Sequence, residues 1–258
     1  MQNYNKKNIK KLRIGMKYFL TSSPSVSMDG AINPANGFLE RLRAAVRHPT
    51  RAVFVTTHPD DAGFSEHCSD AMRVAFEDVG FAFESYTLLD RRTAAHTKEV
   101  LSECDLLIMG GGHVPTQNAF LHDVNMGHLL KAYDGVILGI SAGSMNCAHV
   151  VYAQPEEKGE ATDKNYVRFL PGLGVTDVQI LPHYHLCKDM KVDGLKVYED
   201  IAIPDSRKHL LRFYVFPDGT YLYGDNGNET IYGEFFIIEN GVMRKIANDG
   251  QHMGLPFI

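Results

Sequence analysis

The chain has 258 residues, of which 44% are hydrophobic and 22% are charged, values typical of a globular protein with one sizeable core. Its formal net charge is −5, so it lacks the basic surface that binds nucleic acids and acidic membranes. No apolar run approaches the roughly 20 residues that span a bilayer, and the lysine-rich N-terminus lacks the apolar core of a secretory signal. We expect a cytoplasmic protein without nucleic-acid or membrane partners.

Strand and helix patterns alternate through the first 140 residues. Residues 1–13 predict a flexible tail, and residues 14–258 predict a single domain. Short apolar, β-branched runs predict strands at Lys17–Ser22, Ala52–Thr57, Phe81–Leu89, Asp105–Met109 and Gly135–Ile140. Amphipathic stretches predict helices at Phe38–Val46, Ser65–Val79 with Gly80 as C-cap, Thr93–Cys104 and Gln117–Tyr133. This alternation is typical of an α/β protein, a three-layer α/β/α sandwich with a mostly parallel central sheet.

The pattern changes after about residue 150. A polar loop is predicted at Tyr152–Phe169, a strand at Val178–Pro182, and a helix, interrupted by Gly194, at Asp189–Ile201. Aromatic and β-branched runs then predict hairpin strands at Phe213–Phe216, Tyr221–Tyr223, Thr230–Ile238 and Val242–Ile246. Asp-Gly at 218–219 and Asn-Gly at 240–241 are strong hairpin-turn signals. We therefore expect a β-hairpin-rich C-terminal extension of the same domain.

The segment Gly139–Gly143, Gly-Ile-Ser-Ala-Gly, lies where a predicted strand ends and a helix begins. Its flanking glycines permit a sharp turn that exposes the hydroxyl of Ser141 and leaves the N–H of Ala142 near the reacting oxygen. A serine hydroxyl needs a base and oxyanion donors to act as a nucleophile. Ser141 is therefore the candidate nucleophile, against the simpler interpretation of a tight turn with a capping serine.

Three glycines, Gly110–Gly112, end the preceding strand. Backbone without side chains approaches a ligand closely, so Gly112 is a candidate second oxyanion donor. Open α/β sheets bind their ligands at this edge, which His113 can also reach.

Of the twelve histidines, His183 best fits a general base, because it follows the apolar run that ends at Leu181. His185 lies two residues further on and is the reserve candidate. A carboxylate must hold the imidazole in one orientation. The loop between Ser141 and His183 offers four carboxylates for this purpose: Glu156, Glu157, Glu160 and Asp163.

The glycine triplet, the Gly139–Gly143 turn and the segment Leu181–Tyr184 together resemble the peptidase E family, which includes dipeptidase E and cyanophycinase. The resemblance implies a class I glutamine-amidotransferase-like fold and a serine-type peptidase that hydrolyses short peptides. It implies a triad of Ser141, His183 and Glu156, the acid standing about fifteen positions after the serine. The implied oxyanion donors are Gly112 and Ala142. For the assembly we expect a monomer or a homodimer.

Two positions depart from the family pattern. His113 stands where the family commonly has asparagine after the glycines. The segment after His183 carries His185 and Lys188 but no arginine, and lysine lacks the bidentate geometry that arginine offers a carboxylate. His113, His185 and Lys188 remain candidate substrate-binding residues, whereas strict specificity for aspartyl peptides does not carry over.

Other functions remain open. His58-Pro59-Asp60-Asp61 resembles the zinc motif of LmbE-like deacetylases, and His183 and His185 supply further ligand types. An α/β-hydrolase esterase would use Ser141 with His252 and Asp225. A binding module of amidotransferase-like fold would use none of these groups for catalysis.

No cofactor is expected from the sequence. The four cysteines are scattered and contain no Cys-x-x-Cys pair, which predicts reduced thiols and no zinc knuckle: Cys68, Cys104, Cys147 and Cys187.

Overall fold

A central sheet organises the computed structural model, which describes residues 15–24 and 31–256; the expected tail at residues 1–13 lies outside them. Five parallel strands form one side of this sheet: β1 (Lys17–Thr21), β2 (Thr50–Val55), β3 (Phe83–Leu89), β4 (Leu106–Met109) and β5 (Val136–Ile140). They are ordered β1-β5-β4-β2-β3, so β4 and β5 are central neighbours. Their carboxyl ends share one edge of the sheet, and the predicted α/β fold class is confirmed.

Apolar side chains cover both faces of the parallel strands. Because side chains alternate along a strand, Val53 and Val55 pack in one core cluster and Phe54 packs in the other. Ile137 and Leu138 divide in the same way on β5. Burial on both faces explains why these strands have continuous apolar runs in the sequence.

Eight α-helices are found in the described ranges: α1 (Phe38–Ala45), α2 (Ala62–Asp78), α3 (Thr97–Ser102), α4 (Val114–Asp123), α5 (Met126–Leu129), α6 (Ala142–Asn146), α7 (Tyr184–Cys187) and α8 (Ile203–His209). Short 3-10 turns lie at Ala35–Gly37 and Ala94–His96, and a π-helical segment lies at Val197–Ala202. The helix predicted at Gln117–Tyr133 is divided, because Asn125 has a left-handed φ of 55°. Within the described residues, none of the helices combines the length and apolarity needed to cross a bilayer.

The second half of the chain contributes β6 (Val150–Tyr152), β7 (Phe169–Pro171), β8 (Gln179–Leu181), β9 (Lys191–Val192), β10 (Leu195–Lys196), β11 (Arg212–Val215), β12 (Tyr221–Asp225), β13 (Asn228–Tyr232), β14 (Phe235–Glu239), β15 (Val242–Ala247) and β16 (His252–Leu255). Antiparallel β12, β13 and β16 extend the central sheet beyond β1. A separate sheet has the order β15-β14-β11-β8, in which β8 is parallel to β11. Two short pairs, β6-β7 and β9-β10, complete this half.

Some predictions for this half are wrong. Asp218-Gly219 does not close a hairpin, because β11 lies in the separate sheet and β12 lies in the central one. The single strand predicted at Thr230–Ile238 is divided at Gly233, whose φ is 107°, and its two parts also join different sheets.

The helix predicted at Asp189–Ile201 is wrong as well. Asp193 and Gly194 both have positive φ and form the turn of the β9-β10 hairpin, so helical structure begins at Val197. The Asn240-Gly241 turn is confirmed, since β14 and β15 pair across it.

Candidate active site

Ser141 stands between β5 and α6 in a strained backbone conformation, with φ 49° and ψ −112°. A non-glycine residue held in such a region costs of the order of 1–3 kcal/mol, so its surroundings must enforce it. The Ser141 N–H donates to the carbonyl oxygens of Thr21 and Ser22, each at 3.1 Å. These bonds hold the turn to the end of β1, the neighbour of β5 in the sheet.

The glycines around Ser141 allow close packing. A Cβ on Gly143 would lie 2.2 Å from the Met109 carbonyl oxygen, and one on Gly139 would lie 2.8 Å from Cα of Ser144. Both distances are far below normal contact, so only glycine fits without movement of the backbone. The turn is thereby packed against the end of β4.

The glycine triplet lies against the same turn. A Cβ on Gly111 would come within 3.3 Å of Cβ of Ser141, while Gly112 has a φ of 144° and lies against Thr57. The Thr57 hydroxyl donates to the Gly111 carbonyl at 2.8 Å. Within residues 15–24 and 31–256, no protein acceptor takes a hydrogen bond from the N–H of Gly112 or of Ala142. Two backbone donors near Ser141 are therefore available to an oxyanion.

His183 follows β8 and pairs with an acid outside the predicted loop. Its Nδ1 lies 2.8 Å from Oδ1 of Asp218. An ionised carboxylate only accepts hydrogen bonds, so Nδ1 carries the donated proton and Nε2 keeps a free lone pair. Asp218 precedes β12, which is antiparallel to β1, so it lies at the edge where the parallel strands end.

The electrostatics of Asp218 suit this pairing. Burial alone would raise the pKa of its carboxyl, but hydrogen bonds from His183 and Ser22 outweigh that effect and hold the pKa below its usual value. Asp218 is therefore ionised at neutral pH.

Ser141 and His183 both form backbone hydrogen bonds to Ser22. The Ser22 carbonyl accepts from the Ser141 N–H, and the Ser22 hydroxyl accepts from the His183 N–H at 2.7 Å. No hydrogen bond joins the Ser141 hydroxyl to His183 in the described part of the chain. Without substrate such contacts are often long, and they tighten during catalysis.

Comparison with known proteins decides the family. Residues 18–231 match the family model of peptidase family S51. The chain belongs to this family. It is a serine peptidase, as the resemblance to peptidase E implies.

Two solved structures share the fold of this S51 peptidase. A peptidase from an acI-B1 Actinobacterium is 14% identical, with a TM-score of 0.66 over 94% of this chain and 98% of that one. A protein assigned to peptidase E from Listeria monocytogenes EGD-e is 16% identical, with a TM-score of 0.52 over 90% and 99% of the two chains. At such low identities the likeness supports the fold. No curated protein sequence matches significantly.

Glu156, the acid implied by the resemblance, does not occupy the expected place in this peptidase. Asp218 takes the hydrogen bond of His183, and the Glu156 carboxyl makes no hydrogen bond among the described residues. The Glu156 residue is exposed to solvent, although protein atoms surround much of its carboxyl. Loss of hydration there raises its pKa to about 7, against the opposing attraction of His113. The carboxyl thus lies close enough to His183 to interact electrostatically without orienting its ring.

A contact between His113 and Glu160 joins the glycine triplet to the loop that carries Glu156, Glu157 and Glu160. Nε2 of His113 lies 2.8 Å from Oε1 of Glu160, whose other oxygen accepts from the N–H groups of Glu156 and Glu157. Burial would raise the pKa of Glu160, but these hydrogen bonds outweigh it and lower the pKa. Ligand atoms of His113, Glu157 and Glu160 lie within 4.8 Å of one another, the one group in the described ranges compact enough to hold a metal ion.

The remaining candidate substrate-binding residues lie at or just after α7. Nε2 of His185 is 3.2 Å from Oε2 of Glu234, and Nζ of Lys188 is 3.9 Å from Oδ2 of Asp189. Both side chains are exposed beside the segment that carries His183. Their contact with substrate stays a prediction.

The carboxylates that the deacetylase and esterase alternatives would use lie in other contacts. Asp61 caps α2 by accepting from the Phe64 N–H, and Asp60 pairs with Arg91 at 2.9 Å. These carboxylates are not grouped with His183 or His185. Asp225 lies opposite Lys17 in the register of β12 and β1, at the other edge of the sheet from Ser141, so the esterase triad is not assembled.

Proposed function

We propose that this S51 peptidase hydrolyses short peptides through an acyl-enzyme on Ser141, with His183 as base and Asp218 as orienting acid. One observation supports it above all: the 2.8 Å pair of His183 and Asp218 is joined through Ser22 to the strained turn that carries Ser141. The sequence-derived role of Glu156 as triad acid passes to Asp218 in this proposal.

The reaction proceeds in two steps. Nε2 of His183 removes the hydroxyl proton of Ser141 as Oγ attacks the peptide carbonyl, and the N–H groups of Gly112 and Ala142 bind the oxyanion. His183 then protonates the leaving amine, which departs and leaves an ester on Ser141. Water enters, gives a proton to His183 and attacks the ester, and the acid product leaves as the serine regains its proton.

The acidic side chains around Glu156 favour a peptide substrate with a free amino group. Glu156 has no cationic side chain bonded to it, and Glu157 and Glu160 add negative charge beside it. An α-ammonium group would supply the missing counter-charge next to the triad. Short peptides bring this group near the scissile bond, which favours them over folded proteins as substrates.

A peptide library tests this function. Wild type should cleave dipeptides and tripeptides with free N-termini faster than their N-acetylated forms, and Ser141→Ala should cleave neither. A fluorophosphonate should label wild type on Ser141 and leave Ser141→Ala unmodified. Folded wild type that neither cleaves any peptide nor reacts with the probe would instead indicate a binding module.

A further inference from the structure

Ser22 directly follows β1 and is fully buried, with 0% of its surface exposed. It contacts all three residues of the proposed triad. Its hydroxyl lies 2.8 Å from Oδ1 of Asp218 and 2.7 Å from the backbone nitrogen of His183. Its carbonyl oxygen lies 3.1 Å from the backbone nitrogen of Ser141.

The direction of each hydrogen bond follows from the groups involved. A carboxylate can only accept, so the Ser22 hydroxyl donates its single proton to Asp218. A backbone N–H can only donate, so the same oxygen accepts from His183. The hydroxyl proton and the Nδ1–H of His183 meet on the same carboxylate oxygen, Oδ1. Neither alanine nor valine could make this pair of bonds.

We propose, on the basis of the proposed function, that Ser22 is a positioning residue of the catalytic triad. Its hydroxyl fixes the Asp218 carboxylate relative to the His183 backbone, and its carbonyl fixes the turn that carries Ser141. The distance between nucleophile and base is thereby set from β1, a strand that carries none of the triad residues. A misplacement of about 1 Å in such a geometry costs on the order of 100-fold in rate.

A purely structural role predicts a different result. Ser206 provides the matched control, because it is equally buried, donates to the Ile203 carbonyl at 2.7 Å and accepts from the Gly241 N–H at 3.0 Å. It lies in α8, outside the proposed machinery. Ser22→Ala and Ser206→Ala each lose one hydrogen bond donated by the hydroxyl and one accepted from a backbone N–H, and only the first variant touches the triad.

The test measures kcat, KM and the pH profile of kcat/KM for wild type, Ser22→Ala, Ser22→Thr and Ser206→Ala. We expect kcat of Ser22→Ala to fall by roughly 10- to 100-fold with KM within about threefold of wild type. The pH profile should change as well, because the Asp218 carboxylate loses the Ser22 hydrogen bond that helps to hold its pKa below the usual value. Ser22→Thr, which keeps the hydroxyl, should recover at least part of the lost rate, and Ser206→Ala should keep the wild-type rate and profile.

If Ser22→Ala does not fold, Ser22→Cys replaces it, since a thiol has similar shape but is a weak donor. If wild type is active and Ser22→Cys or Ser22→Ala keeps the full wild-type kcat, the positioning role of Ser22 is overturned while the proposed function stands. An equal loss in Ser206→Ala also overturns it, because the loss would then report stability. Wild type that neither cleaves nor labels overturns the proposed function itself, and the role of Ser22 with it.

Discussion

Ser141 and His183 both have left-handed backbone torsions, with φ of 49° and 57°, although neither is glycine. Each such residue stores on the order of 1–3 kcal/mol that neighbouring contacts must offset. The same neighbour, Ser22, accepts a hydrogen bond from the backbone of both. Hydrogen bonds to Ser22 therefore help to maintain the strained backbone of both residues, which explains why two distant chain segments keep a fixed relation.

The choice between Asp218 and Glu156 as orienting acid is testable at single residues. Asp218→Asn keeps the size of the side chain but removes its charge, so His183 loses the group that fixes its tautomer. We expect labelling of Ser141 by a fluorophosphonate to slow by about 10²- to 10⁴-fold. Glu156→Gln should label within about threefold of wild type, because its carboxyl makes no hydrogen bond to the ring.

This probe carries no ammonium group, so it reports activation of the serine independently of any substrate contact with Glu156. Time courses of labelling at equal folded concentration provide the measurement. A larger loss in Glu156→Gln than in Asp218→Asn would return the orienting role to Glu156.

At the level of elements, local patterns identified the parallel strands and the two residues that follow them. Ser141 and His183 were predictable because each comes directly after an apolar run, and carboxyl ends of strands meet at one edge. Asp218 was missed for a physical reason. Its Asp-Gly pair is typical of a hairpin turn, and nothing in the local pattern indicates that β11 and β12 enter different sheets.

Ser22 was missed because its importance depends on long-range pairing. It lies 161 positions from His183 and 196 from Asp218 along the chain. Only the placement of β1 between β5 and β12 brings it beside all three triad residues. The sequence indicated where Ser141 and His183 lie, whereas the positions of Asp218 and Ser22 beside them depend on the topology of the antiparallel strands.

The packing of α6 against β4 gives a prediction at this level. Gly143→Ala would place a methyl group 2.2 Å from the Met109 carbonyl, so the turn between β5 and α6 must shift. We expect a loss of about 1–3 kcal/mol in the free energy of unfolding. Gly254→Ala on β16 is the matched control, because nothing lies within 4 Å of its added Cβ. Denaturant titration should show the control within about 0.5 kcal/mol of wild type, and equal stability of the two variants would contradict the packing argument.

In the molecule as a whole, ionisable groups are concentrated around Glu156. Glu157 and Glu160 repel the Glu156 carboxylate, while His113 and His183 attract it. Dehydration exceeds these effects and keeps part of the Glu156 population protonated near neutral pH. Proton uptake at this carboxyl is therefore linked to the folding of the entire chain.

Glu156→Gln should reveal this linkage as a pH-dependent gain in stability. In the unfolded chain the carboxyl releases its proton near the ordinary glutamate pKa of 4.5, whereas in the folded chain it keeps the proton until about pH 7. Between these values the folded state binds more protons, so its stability falls as pH rises. The glutamine variant avoids this loss. The amount by which its Tm exceeds that of wild type should therefore be larger at pH 8 than at pH 4.5, by on the order of 2 °C. Calorimetry at the two values measures the difference, with Glu66→Gln, at an exposed position of α2, as the control substitution. A constant or shrinking difference would mean that the folded carboxyl ionises as readily as the unfolded one.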